Sequence, residues 1–259
     1  MSRTRYLDLD DRNEDAREVM RERPRESKSF MEKYELSWVY HENALEGMVL
    51  THAELLQAFQ PAGVVVDSSM VHTWQEIRNQ KAAIDFIKAE SKSKGVKYNL
   101  TLVKKLFETI YAGINNRLPM TFRRDMPLHR TYFHDIVQPI AIQPGLDQLF
   151  EYMAGPEFKA FHPLKQATHA HHRFMEIFPF SDWSGKVGRM LMNLMLIRNG
   201  YMPVIIHSHD RQKYYEALRL PATQFGNVIL DAMDNGLDNA FKFFIPGYDE
   251  NARRRVAGE

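Results

Sequence analysis

The chain has 259 residues, 44% of them hydrophobic and 26% charged, a globular balance with room for one large domain or a core domain with an extension. Lys and Arg number 34 against 33 Asp and Glu, and a net charge of +1 gives no ground for nucleic acid or an anionic membrane as the main partner. The absence of cysteine excludes disulfides, thiolate metal sites and a cysteine nucleophile. Met1 to Ser29 is charged and lacks the apolar core of a signal peptide. No apolar run approaches the roughly 20 residues of a membrane span, so the chain reads as cytoplasmic.

In chain order, residues 1–28 mix Arg, Asp and Glu and read as a charged N-terminal arm, solvated or a frayed helix. An N-terminal helical segment spans 29–62. In it Phe30, Tyr34, Val39 and Leu45 recur at near-helical spacing up to Gly47, and Thr51 with Glu54 forms a capping box ahead of Leu55, Leu56 and Phe59. A core of 63–246 follows. It opens on a helix with Val71, Trp74, Ile77, Phe86 and Ile87 inward, and then an amphipathic helix of Leu100, Val103, Leu106, Phe107 and Ile110. Between His129 and Ile142 the residues Tyr132, Phe133, Ile136, Val137 and Ile140, with Pro139 among them, read as a short β-hairpin on a sheet edge. A helix from Pro163 to Ile177 starts on the favoured N-terminal proline. After a polar loop, Val187 to Asn199 is apolar nearly all round and should be the buried central helix, with Gly200 at its end. Helices at Asp210–Leu218 and around Phe225–Phe244 close the core, and 247–259 is a C-terminal tail. The fold class expected is all-α with one β-hairpin flap.

The loop from Phe178 to Lys186 draws attention because it feeds the N-terminus of a buried helix, where unsatisfied backbone N–H groups attract anions. Gly185 and Gly188 permit close approach, Lys186 and Arg189 bring positive charge, and Asp182 is a hard oxygen donor for magnesium. A turn glycine, a salt-bridge arginine and a capping aspartate account for the same residues without any ligand. Further on, His207-Ser208-His209-Asp210 offers donors for a transition ion, although Asp210 is better explained as a helix N-cap.

Phe178-Pro179-Phe180-Ser181-Asp182-Trp183-Ser184-Gly185-Lys186-Val187-Gly188-Arg189 resembles the Fic signature H-P-F-x-D-G-N-G-R-x-G-R. Pro179, Phe180, Asp182, Gly185, Gly188 and Arg189 match it; Phe178, Trp183, Ser184 and Lys186 depart. Ala170-His171-His172-Arg173-Phe174, Leu191-Met192-Asn193 and the run from Asp210 to Leu218 resemble the flanking segments of that family. The resemblance covers roughly residues 30–245. It implies the helical Fic fold, with ATP and Mg2+ as cofactors and transfer of AMP to a protein hydroxyl (AMPylation). It places Asp182 on the metal, and Ser184, Gly185, Lys186, Gly188 and Arg189 on the phosphates. It also implies a protein target docking at the 129–142 flap, and allows a homodimer.

Carried over residue by residue, the resemblance is uneven. Phe178 stands at the histidine that takes the proton, and a phenyl ring cannot accept one. Trp183 puts an indole where the family has glycine; Ser184 keeps one hydrogen bond; Lys186 keeps charge without the bidentate fork. His171 and His172, roughly 10 Å away along a helix axis, read as packing residues rather than substitute bases. The expectation is therefore a nucleotide- or phosphate-binding pseudoenzyme, inactive or weakly active. The alternatives are an active transferase, or a repurposed pocket in which Phe178, Phe180 and Trp183 accompany Lys186 and Arg189 around an aromatic anionic small molecule. Upstream, Glu42-Asn43-Ala44-Leu45-Glu46-Gly47 resembles the inhibitory helix motif [S/T]-x-x-x-E-[G/N], with Glu46 and Gly47 matching and Glu42 in the Ser/Thr place. Autoinhibition of that kind implies a Glu46–Arg189 pair.

Overall fold

The computed structural model describes residues 3–59, 71–114, 121–127 and 134–249. Among them the regular structure is helical throughout: α1 (Arg3–Glu22), α2 (Pro24–Leu45), α3 (His52–Phe59), α4 (Val71–Ser91), α5 (Leu100–Tyr111), α6 (Ile142–Ala154), α7 (Pro156–Lys159), α8 (Pro163–Ile177), α9 (Ser184–Arg198), α10 (Arg211–Ala217) and α11 (Ala222–Phe244). No helix among the described residues is long and apolar enough to cross a membrane.

The centre is α9. Every residue from Ser184 to Leu196 is buried, with α8 along one side, α4 and α5 along others. Its apolar composition makes this placement obligatory, since each face needs a partner. Gly188 sets the α8–α9 distance: a Cβ there would stand 2.9 Å from Phe174 and 3.1 Å from His171. Asn193 is tolerated in this core because its amide closes two hydrogen bonds with the Val204 backbone, at 3.0 and 2.7 Å. After α9, Gly200 takes φ 83°, a left-handed value that a glycine adopts without penalty.

The charged N-terminus is a docked helix rather than a solvated arm. Leu9 and Ala16 of α1 are buried, and Arg12 reaches Asp234 and Asp238 one turn apart on α11, the latter at 2.6 Å. Helix α2 likewise starts earlier than periodicity suggests, at Pro24, a favourable first helical residue. The Thr51–Glu54 capping box forms as expected: Glu54 N–H donates to Thr51 Oγ1 at 3.2 Å and Thr51 N–H donates to Glu54 Oε2 at 2.6 Å.

The β-hairpin expected at 129–142 is not there. Residues 129–133 lie outside the described residues; 134–138 run extended, Pro139–Ala141 form a 3-10 turn, and α6 begins at Ile142. The extended backbone pairs with the end of α8, not with a second strand. Val137 N–H donates to Glu176 O at 3.0 Å, and His134 Nε2 meets Met175 O at 2.8 Å. The buried Arg123 guanidinium takes the Val137 carbonyl, and its Nε donates to Phe178 O at 2.7 Å. One arginine thus satisfies carbonyls at the open C-terminus of α8 and fixes the adjoining segment, leaving no ladder to build.

Candidate functional site

The loop between α8 and α9 is tightly specified. Phe178 ends α8: its N–H donates to Phe174 O at 2.9 Å, and it turns left-handed at φ 46°. Trp183 does the same at φ 62°, immediately before α9. They are the two non-glycine residues with positive φ among the described residues, and both flank this loop. Such conformations cost about 1–3 kcal/mol each and cluster where a backbone shape is required by function. Ser184 locks the turn: its hydroxyl accepts from Phe180 N–H at 2.8 Å and donates to Phe180 O at 2.9 Å.

Phe178 is buried at 3% exposure, its ring edge-on to His134 with centroids 6.1 Å apart. Phe180 packs on Phe107 at 4.3 Å. Trp183 leans on Tyr111 at 5.0 Å and Phe107 at 6.3 Å, so its indole lies against α5 while the loop keeps a glycine-like backbone. Asp182 is exposed on the loop. Among the described residues no group of three His, Asp or Glu converges on a metal position. A lone carboxylate suits magnesium only when ligand phosphates complete its shell.

Opposite the loop stands the end of α2. Arg189 Nε donates to Glu42 Oε1 at 2.6 Å; Nη2 donates to Glu46 Oε1 at 2.6 Å and forms an ion pair with Glu42 Oε1 at 2.6 Å. Nη1 faces Tyr214 Oη at 3.4 Å. Burial alone would lower the Arg189 pKa, but Glu42, Tyr214 and Glu46 outweigh it and hold it well above its ordinary value. Burial pushes the Glu42 carboxyl up, while Arg189 pulls it back. Gly185 gives the Glu46 carboxylate room, since a Cβ there would stand 2.8 Å from Glu46 Oε1. An internal carboxylate therefore sits against the first turn of α9, where an anion is favoured. Gly47, at φ 91°, ends α2 just beyond it.

The residues expected on the site divide accordingly. Glu46, Gly185 and Arg189 come together, Phe178 and Trp183 bound the loop on either side, and Asp182 is on its exposed surface. Lys186 is turned away: it is buried in the α2–α4 seam, with Asn43 Oδ1 at 3.2 Å and Glu76 Oε2 at 3.6 Å. Gly188 serves α8–α9 packing and Phe180 the core. Glu42, first met as a departure from a motif, is the most intimate partner of Arg189. The clue to it was its four-residue spacing from Glu46, which puts both carboxylates on one helix face.

Four of the described histidines, His41, His171, His172 and His207, are engaged by neighbours within the fold. His172 Nε2 donates to Leu220 O at 2.8 Å, and His171 Nε2 meets Tyr214 Oη at 2.9 Å. His207 stacks on His41 at 4.4 Å, and Asp210 holds the N-cap position of α10 as expected, although its side chain accepts no capping hydrogen bond. Burial first, then the nearby Arg189, lowers His171 to about 3; burial first, then His207 and His209, lowers His41 to about 4. The fold therefore keeps these rings neutral while the unfolded chain protonates them from its ordinary value of 6.5 downward. Their contribution to stability is intact above that value and declines as pH falls toward about 4 for His41 and about 3 for His171. Urea midpoints should drop from pH 6.5 to pH 5, with His171 contributing a slope of about 1.4 kcal/mol per pH unit; equal midpoints would refute this.

The architecture is a helical bundle whose buried central helix follows a glycine-bearing loop bounded by two left-handed residues. Residues 97–196 match the Fic/DOC family. Over 209 residues, 77% of this chain, it is 28% identical to protein adenylyltransferase Fic of Aedes aegypti and 30% identical to that of Drosophila virilis. The chain spans about two fifths of those relatives, 40% and 41% of their length. A Fic domain containing signaling protein from Bacteroides thetaiotaomicron superposes with TM-score 0.76 at 20% identity, covering 95% of this chain and 100% of that one. Fic-1 from C. elegans, residues 134–508, superposes with TM-score 0.72 at 20% identity, covering 93% and 72%. Residues 97–196 are thus similar to the Fic/DOC family, and the fold is that of the solved Fic-domain structures.

Proposed function

We propose that this domain binds ATP, or a related phosphate ligand, at the 178–189 loop and transfers AMP only at a very low rate. AMP transfer needs a target hydroxyl to attack the α-phosphate as pyrophosphate leaves, and the hydroxyl proton must go to a base. The observation that carries the reading is Phe178: at the position that abuts the loop after α8 stands a buried phenyl ring with no basic atom. The loop backbone supports binding, because α9 presents its N-terminus there and the place beside Gly185, held by the Glu46 carboxylate, is one an anion can take when Glu46 moves away. Magnesium, when bound with ATP, would neutralise phosphate charge, with Asp182 as the chain's oxygen donor. The contact of Glu46 with Arg189 supports autoinhibition, because that guanidinium is engaged before any phosphate arrives.

The test is to incubate the unmodified chain with labelled ATP, magnesium and lysate proteins. Labelling should stay at background for both the chain itself and the lysate. Strong labelling that survives Asp182→Ala would overturn both the pseudoenzyme reading and the assigned site.

A further inference from the structure

The end of α2 meets Arg189 with two carboxylates, not one. Glu42 and Glu46 lie one helical turn apart on the same face. Glu42 Oε1 accepts from Nε and forms an ion pair with Nη2, Glu46 Oε1 accepts from Nη2, and Nη1 is directed at Tyr214. Each guanidinium nitrogen thus has an internal partner. The two carboxylates differ in depth: the Glu42 side chain is 3% exposed and the Glu46 side chain 21%. Glu46 stands at the loop and can swing outward; Glu42 is behind it, closed in by the helices.

We propose that Glu42 is a second blocking carboxylate, a specificity-determining residue that excludes a terminal phosphate even when Glu46 has moved away. The inference rests on the Fic reading above. Removing Glu46 leaves Nε hydrogen-bonded to Glu42 and Nη2 in an ion pair with the same carboxylate oxygen, so Arg189 remains neutralised. Lys186 offers no substitute, being held by Asn43 and Glu76. Around the two cations Lys186 and Arg189 stand three carboxylates, Glu42, Glu46 and Glu76, so a triphosphate enters against net negative charge.

Calorimetry with ATP–magnesium on the full chain tests this, using Glu46→Gly, Glu42→Ser and the double variant, each first shown to unfold cooperatively on heating. Glu46→Gly alone should tighten binding less than about threefold, and Glu42→Ser added to it should tighten binding by about tenfold or more. If the double variant does not fold, E42Q/E46Q removes the charge at nearly constant shape and carries the same expectation. Full gain from Glu46→Gly, with nothing added at position 42, overturns the role of Glu42 and leaves the Fic reading standing. Folded variants that all fail to bind ATP remove both.

Discussion

Replacing Phe178 by His and Trp183 by Gly together, in the E42S/E46G background, is expected to raise AMP transfer by about 10²–10⁴-fold over the same background unmodified. The gain comes mainly from position 178, where a proton acceptor is supplied. The site accepts the change: its φ of 46° lies in the left-handed region, where histidine is enriched, and the present ring is already lodged beside His134. Phe178→His alone should fall short. In the native background Arg189 is still clamped by Glu42 and Glu46, and Trp183 still lines the loop. Misplacing a phosphate by about 1 Å can itself cost about 10²-fold. Trp183→Gly removes left-handed strain of about 1–3 kcal/mol and clears the indole from the loop. These residues share one loop, so their effects need not multiply. Labelled AMP on lysate proteins is the readout, and Asp182→Ala in the restored chain should abolish it. A Phe178→His single variant as active as the full combination would show that the clamp and the indole do not restrain the site.

Much of this site could be read in the sequence, and the unread parts share a cause. Helix α8 was legible because Pro163 and the polar loop mark both ends, and α9 because its apolar run admits only a buried place. The pairing of Glu46 with Arg189 was implied by the resemblance of two short motifs to the Fic family, not by spacing alone. What was not legible depends on partners distant in the chain. Helix α1 looks solvated until Asp234 and Asp238 answer Arg12 from α11. The segment before α6 looks like a strand by side-chain type, but Arg123 and the end of α8 claim its backbone. Lys186 looks like a phosphate ligand because its neighbours in sequence are loop residues; Glu76, on α4, decides its direction. Local pattern reports which faces are apolar. It does not report which of several charges will be answered from inside the fold.

A large stability effect is expected at Arg189. Arg189→Ala should destabilise the fold by about 3–5 kcal/mol, because it strips a buried carboxylate of its hydrogen-bonded cationic partner. Glu46 can turn toward water, but Glu42 cannot: its side chain is 3% exposed. Removing both charges together is a different case. A buried ion pair replaced by apolar groups of similar size is often neutral, so R189M/E42M should recover most of the loss, to within about 1–2 kcal/mol of the native chain. The pH dependence separates this account from a simple loss of packing. Without Arg189 the pull that opposes burial is gone, and the Glu42 pKa, already raised by burial, rises further. A carboxyl whose folded pKa is raised contributes stability that is present below its unfolded value of 4.5 and lost as pH rises through the folded value. The deficit of Arg189→Ala should therefore shrink as pH is lowered from 7 toward 5, while R189M/E42M shows no such trend relative to the native chain. Urea unfolding across that range measures both. A deficit that stays constant with pH would mean that Arg189 acts through its volume and contacts, not through the charge it holds between α2 and α9.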